Sequence, residues 1–423
     1  MLTKNTRRNF FKTATLGIAA SAVACKSNGY NNRGNSNSSD DAVRVALAQP
    51  VLKRALFPDP VVLDRVELLR FKDNFICRVT STDGAEGIAV SNNDKMIHLY
   101  PIFTKRIQPF FMGKDARDWE ALLEEVYVYK SNYKLQNLAL WVPLATLEFA
   151  VLDLLGKIAN RPIGALIGDI HHEEIAVYRA NNFRGKSAEA SIALIKEQVE
   201  RTQAKALKFK VGGRMSKNKD FPADRSEKLI PLVRKTFGDE MTIYADSNGS
   251  YDVEEAIHIG RIMQEYQYDF YEEPVPFDWY EETKAVTDAL KVPVAGGEQE
   301  PSMRTFQWLI ENEALDILQP DIFYFGGMIR AMKVARMADA KGKVCTPHIS
   351  GSGLGYLYMM HFVSALPNAG PYHEFKGFNK ELPLSFPTSD MRIQDGKVKV
   401  PKGAGLGVLI DPDYIGKHQV VKG

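Results

Sequence analysis

Lys208, Lys210, Asp246, Glu272, Glu298, Asp321, His348 and Glu374 are acids and bases that each close a short apolar run. From Asp246 onward they recur at intervals of 26, 26, 23, 27 and 26 residues. Asp246, Glu272 and Glu298 end three consecutive runs. Three anions brought together repel unless a cation sits among them. Oxygen-only donors with room for water suit a hard ion such as Mg²⁺, so the three are candidate metal ligands for one Mg²⁺. Lys208 and Lys210 fall on one face of a strand, with Leu207, Phe209 and Val211 on the other. Two ammonium groups so placed depress each other's pKa, which would let a lysine accept a proton near neutral pH. Asp321 and His348 end the next two runs, and an aspartate beside a histidine fixes the imidazole tautomer and raises its basicity. Glu374 closes the last run, where a protonated carboxyl would donate a hydrogen bond to a developing oxyanion. For each residue taken singly a turn, a surface lysine or a satisfied core histidine is the simpler account; the register of the whole set favours chemistry.

Such spacing holds one strand, one helix and two loops. The candidate strands are Ile175–Tyr178, 206–211, 242–245, 270–271, 292–295, 317–318, 344–346 and a short run before Glu374. Amphipathic helices at 188–202, 253–266, 328–340 and 354–366 separate several of them. Seven or eight such units make an α/β fold of the (β/α)7-8, TIM-like barrel type, with the active residues at the strand ends. An open doubly wound sheet is the alternative, but it gathers ligands at one switch point. Before the barrel, strands at 43–48, 68–79 and 87–91 and helices at 94–111, 117–128 and 142–158 make an α+β capping domain. The expected division is an export signal over 1–25, a flexible tether over 26–41, the cap over 42–168, the barrel over 169–375, and a C-terminal segment over 376–423 that packs back on the cap. That last segment includes a hairpin at Asp395-Gly396.

Taken together, Lys208-Phe209-Lys210, Asp246-Ser247-Asn248, Tyr271-Glu272-Glu273-Pro274, Gly297-Glu298, Gln319-Pro320-Asp321, Gly326-Gly327 and Pro347-His348 resemble the enolase superfamily, in its mandelate-racemase-like branch. The resemblance covers essentially the whole chain after the signal. It implies that Asp246, Glu272 and Glu298 bind Mg²⁺, with Asn248 beside them. It makes Lys210 a base tuned by Lys208, sets His348 paired with Asp321 on the opposite face, and aims Glu374 at the substrate carboxylate. The common step would be loss of the proton α to a carboxylate, through an enediolate. Expulsion of a β-hydroxyl would make the enzyme a sugar-acid dehydratase; return of the proton would make it a racemase or epimerase. A surface-tethered binding protein that has lost catalysis is the reading from another class. Asp321 stands where the cycloisomerase and dipeptide-epimerase branch carries a lysine, which argues against that branch. Arg179 and Asn181 are candidate substrate contacts, and the segment 49–64 is a candidate specificity loop. Relatives of this kind are often homo-oligomers, and one is expected here.

Composition is ordinary for a globular chain: 423 residues, 45% hydrophobic, 54 Lys+Arg against 52 Asp+Glu. Balanced charge gives no reason to expect nucleic acid as a partner; a small-molecule carboxylate fits better. Thr6-Arg7-Arg8-Asn9-Phe10-Phe11-Lys12 resembles a twin-arginine export signal, followed by a short apolar stretch. Ala22-Val23-Ala24-Cys25 resembles a lipobox with Cys25 as the acylated residue, though Ala22 replaces the usual leucine. A periplasmic location with a possible lipid anchor at Cys25 follows. No apolar run of bilayer length stands out. Cys77 and Cys345 each sit in an apolar run and read as buried thiols.

Overall fold

The computed structural model describes residues 37–351, 354–377, 382–389 and 391–422. The expected export signal, Cys25 and residues 26–36 of the expected tether lie outside the described residues. The helix Asn37–Ala48 begins inside the stretch read as a tether and replaces the strand expected at 43–48. Val43 and Leu47 stand four apart, so a helix turns both the same way; Val43 is fully buried and the helix packs on the helix Met328–Asp339.

The cap is built on an antiparallel meander, β1 (Leu63–Phe71), β2 (Asn74–Ser81) and β3 (Glu86–Val90). The single strand expected over 68–79 is in fact a hairpin whose turn, Lys72-Asp73, places Lys72 at φ 54°. No glycine or proline marks that turn, which is why the apolar run reads through it. Across this sheet lies the helix Leu138–Ile158, with its residues from Leu140 to Gly156 buried. In length and hydropathy it matches a bilayer span, contrary to the expectation above, but nine-tenths of its apolar stretch is covered by protein. It is the core helix that cap and barrel share.

The barrel strands are β4 (Glu174–Ala180), β5 (Ala206–Lys210), β6 (Thr242–Asp246), β7 (Phe270–Glu272), β8 (Val294–Gly296), β9 (Ile317–Leu318), β10 (Val344–Cys345) and β11 (His373–Glu374). They pair in parallel in chain order from β4 to β10, and β11 returns to lie on β4. At the seam Cys345 pairs with Ala369, just before β11. Helices with one apolar face, such as Ala188–Thr202 and Val253–Glu265, cover the outside. Cys77 and Cys345 are free, buried thiols, and burial raises the pKa of each.

The C-terminal segment supplies β12 (Leu384–Ser385), β13 (Lys397–Lys399), β14 (Leu409–Ile410) and β15 (Gln419–Val420). Asp395 and Gly396 both take positive φ between Gln394 and Lys397, which pair across the turn. β13 runs antiparallel to β4 of the barrel, and β15 adds to β1 of the cap. Asp153, on the shared helix, accepts from Ile88 N of β3 at 2.9 Å and from Leu406 N at 2.9 Å.

Glu148 makes the other clasp. Its buried carboxylate accepts from Trp119 Nε1 at 2.8 Å and from Ile329 N, in the first turn of Met328–Asp339, at 3.1 Å. Burial pushes its pKa up to about 7, while these donors and Arg330 pull it down. The carboxylate comes so close to Gly327 that a Cβ there would sit 2.1 Å from Oε1, and Gly327 holds φ +119°. Both requirements select glycine. Gly327→Ala is therefore expected to destabilise the protein by about 3 kcal/mol or more. A denaturant melt of the variant with an unchanged midpoint would refute this account of the clasp.

Candidate active site

Every carboxylate of the expected set reaches one end of the barrel because its strand stops there. Asp246 and Glu272 are the last residues of β6 and β7, in register with each other and with Lys210 at the end of β5. Glu298 follows β8 by two residues, after Gly297 has turned the chain at φ +102°. Ligand-capable oxygens of Asp246, Glu272 and Glu298 all lie within 4.8 Å of one another, and all three residues are buried.

Two lysines hold this charge. Lys208 Nζ is 2.7 Å from both oxygens of Glu272, 3.9 Å from Asp246 Oδ2 and 3.6 Å from Glu374 Oε2. Lys210 Nζ donates to Asp246 Oδ2. All of β5 is buried, so alternation sends the lysines into the barrel and Leu207 and Phe209 into the layer beneath the helices. Burial opposes the charge on Asp246, but Lys210 and Lys208 outweigh it and hold the carboxyl below its usual range. Burial pushes Glu272 up to about 7, aided by Asp246 and Glu298 against the pull of Lys208. The expected depression of the lysine pKa is not what Lys208 shows. Burial would lower it, yet Glu272, Tyr178, Glu374 and Asp246 together raise it well above the ordinary value. The carboxylates around Lys208 outnumber its one ammonium neighbour.

On the far side of the triad, His348 Nδ1 lies 2.7 Å from Asp321 Oδ2, and Nε2 lies 3.5 Å from Glu298 Oε2. Burial disfavours the imidazolium, but Glu298, Asp321 and Glu374 raise its pKa to about 10. Asp321 is itself held: its Oδ1 accepts from Phe323 N at 2.8 Å, Tyr324 N at 2.9 Å and Ser350 Oγ at 3.1 Å. Ser350 in turn accepts from Asn92 Nδ2 of the cap at 3.1 Å. A buried chain of hydrogen bonds thus runs from the cap to the imidazole.

Glu374 departs from the neutral acid expected of it. Burial would favour protonation, but Lys376, Lys208 and His348 hold it ionised, with Lys376 in direct contact. The hydroxyls of Tyr178 and Tyr356 lie 3.5 Å from its two oxygens. Asn248 N donates to Asp246 Oδ1 at 2.8 Å, and its amide nitrogen is 3.2 Å from Glu273 Oε2. Of the two candidate substrate contacts, Asn181 commits Nδ2 to the Lys208 carbonyl at 2.9 Å, because at the end of β4 it bridges to β5. Arg179 is half-buried and donates to the Lys376 carbonyl at 3.2 Å.

Several residues of the site escape a sequence reading. Glu273 is a further buried carboxyl, and its Oε1 has no partner among the described residues. Burial pushes its pKa far up, with Glu298, Asp246 and Glu272 adding to the rise. Gln319 Nε2 donates to Glu272 Oε2 at 2.9 Å. Arg184 grips the carbonyls of Gly212, Val211 and Asp246, and Arg225 that of Lys210. Only Glu273 and Gln319 carry a signal, by adjoining a residue that ends a strand.

The donor set fits a divalent cation. It is all oxygen, it is buried, and Asp246 and Glu298 raise the pKa of Glu272, which a doubly charged ion would relieve. The family described as enolase C-terminal domain-like matches residues 190–414. The arabinonate dehydratase of Saccharolobus solfataricus is 25% identical over 306 residues, 72% of this chain and 79% of that protein. The D-galactarolactone cycloisomerase of Agrobacterium fabrum is 26% identical over 315 residues, 72% of this chain and 81% of that protein. The crystal structure of a mandelate racemase/muconate lactonizing protein from Paracoccus denitrificans, complexed with magnesium, superposes with a TM-score of 0.76 at 24% identity. It covers 86% of this chain and 99% of that one. The relatives thus include both a dehydratase and a cycloisomerase.

A cation that binds only the folded site adds stability by mass action. Mg²⁺ at a hundredfold its dissociation constant is expected to raise stability by about 2.7 kcal/mol. Glu272→Gln is expected to remove most of that increment. Melts that respond to Mg²⁺ equally in both proteins would place the ion elsewhere.

Proposed function

We propose, from the premise that this chain belongs to the enolase superfamily, that it takes the proton α to the carboxylate of a sugar acid and expels the β-hydroxyl, leaving a 2-keto-3-deoxy acid. The observation that carries this reading is the placing of two proton-bearing groups at the two ends of one carboxylate triad. Lys210 sits on Asp246 and His348 approaches Glu298. Asp321 takes the Nδ1 side of the imidazole, so Nε2 is the end turned toward the triad.

Asp246, Glu272 and Glu298 would hold one Mg²⁺, which supplies positive charge against the substrate carboxylate and makes the α proton easier to lose. Lys210, which must then stand as the neutral amine, receives that proton. His348, as the imidazolium, delivers one to the departing hydroxyl on the opposite face. Asn92 and Ser350 keep Asp321 aimed at the imidazole during the transfer. Glu374 stays ionised and anchors Lys208 and Lys376, whose ammonium groups then face the charge that develops on the substrate.

The relatives support an enzyme of this general type. Epimerisation is the second reading, because it needs the same opposed pair, with His348 returning its proton to carbon. Dehydration is preferred because the relatives include an arabinonate dehydratase. Incubation with Mg²⁺ and a set of acid sugars in D₂O separates the two: keto acid marks dehydration, and deuterium with inverted configuration marks epimerisation. Lys210→Ala and His348→Gln are each expected to lower turnover at least about a hundredfold. Full activity in Lys210→Ala would sink the mechanism.

Export belongs to the same proposal, on the strength of Arg7-Arg8 and the apolar stretch after them. Replacing both arginines by lysine is expected to leave the protein in the cytoplasm. Fractionation that still finds it in the periplasm would refute the twin-arginine route.

A further inference from the structure

Outside the carboxylate ring, a cleft of about 400 Å³ opens where the start of the shared helix meets the barrel helices Met303–Glu311 and Met328–Asp339. None of the triad, its lysines or His348 lines it. That volume lies within the range of pockets for small organic ligands.

Trp141 forms one wall. Its ring stacks on Tyr127 at 5.8 Å and carries the Arg330 guanidinium at 3.8 Å from its centroid. Trp141 is 3% exposed, yet its indole Nε1 is buried without an acceptor among the described residues. Arg330 is a cation of the same wall and lies over the Trp141 and Phe325 rings. Its Nε and Nη2 donate to the carbonyls of Phe325 and Pro301, and no carboxylate of a described residue comes within 4.0 Å of it. Of the acids around it, Glu120 is bound to Lys333 at 3.1 Å and to the amides of Val51 and Leu52. Glu124, exposed on the rim, and Glu148, which accepts from Trp119 and Ile329, favour the guanidinium charge only from a distance, against burial.

The cleft therefore offers a guanidinium with no carboxylate in direct contact among the described residues, while Leu47, Leu123, Met303 and Ile329 make much of the remaining wall apolar. An inorganic anion would satisfy the donors but leave that apolar surface wet. A neutral apolar molecule would cover the wall and leave the guanidinium without a contacting anion. We propose that this cleft is a second ligand site, which takes a small organic carboxylate with a planar or aliphatic body, its oxygens on Arg330 and its body against Met303 and Leu123.

The test uses the full chain, with benzoate as the probe and benzyl alcohol as its neutral counterpart, by calorimetry and tryptophan fluorescence. Benzoate is expected to bind at least about tenfold more tightly than benzyl alcohol. Arg330→Gln is expected to weaken benzoate by about tenfold or more. Because Arg330 also clasps two loops, Met303→Trp serves as a second variant that fills the cleft from its rim, and it is expected to abolish the same binding. Turnover of the sugar acid should be untouched by Met303→Trp, so failure here is distinct from failure of the reaction assigned to the ring. Equal affinity for both probes would overturn the proposal. So would benzoate binding that survives Met303→Trp, or an oligomer in solution whose interface protects Arg304 and Met303 from labelling.

Discussion

Asp246, Glu272 and Glu298 are buried within 4.8 Å of one another, and three carboxylates so placed cannot all stay ionised unless positive charge is built around them. Much of the barrel's interior end follows from that constraint. Lys208 and Lys210 come from the inward face of β5, His348 arrives from beyond β10, and Glu374 and Lys376 close the ring from β11. Lys208 is then fixed by Asp246, Glu272 and Glu374, and His348 by Glu298 and Asp321, so a change at one position is felt at several. The pKa directions express this coupling: Lys208 and His348 go up, Asp246 and Glu374 go down, and Glu272 is left near neutrality.

A ring of opposed charges needs rigid attachment, and the chain provides it through backbone carbonyls. Arg184 and Arg225 hold the strand ends that carry Asp246 and Lys210. The cap participates through Asn92, which reaches Asp321 by way of Ser350, and through Tyr358, whose hydroxyl both donates to and accepts from the backbone of Val90. Glu148 and Asp153 lie on one helix and tie the cap to the barrel and to the C-terminal segment. The cap thus helps to set the geometry of the imidazole as well as covering the barrel mouth.

The parts legible in the sequence were those written in periodicity. Strand alternation put Lys208 and Lys210 on one face, and the regular interval between acids placed Asp246, Glu272 and Glu298 at successive strand ends. Misreadings arose where local pattern was ambiguous: residues 43–48 are apolar enough for a strand but fold as a helix, and the Lys72-Asp73 turn has no glycine to announce it. Electrostatic states were legible only in part. The mutual repulsion of Lys208 and Lys210 is a two-body statement, whereas their environment contains several carboxylates that sequence cannot count. Asn92, Ser350, Arg184 and Arg225 act through carbonyls or through one another across long separations, and no residue type at those positions foretells such contacts.

The pairing of β15 with β1 has a consequence for the history of each molecule. Leu69 and Arg70 are among the early residues to leave the ribosome, yet their partners, Val420 and Gln419, emerge only after the whole barrel has been made. Until then β1 is an open sheet edge, free to recruit strands of other chains. The last seam of the cap therefore has to wait until every residue of the barrel has been made.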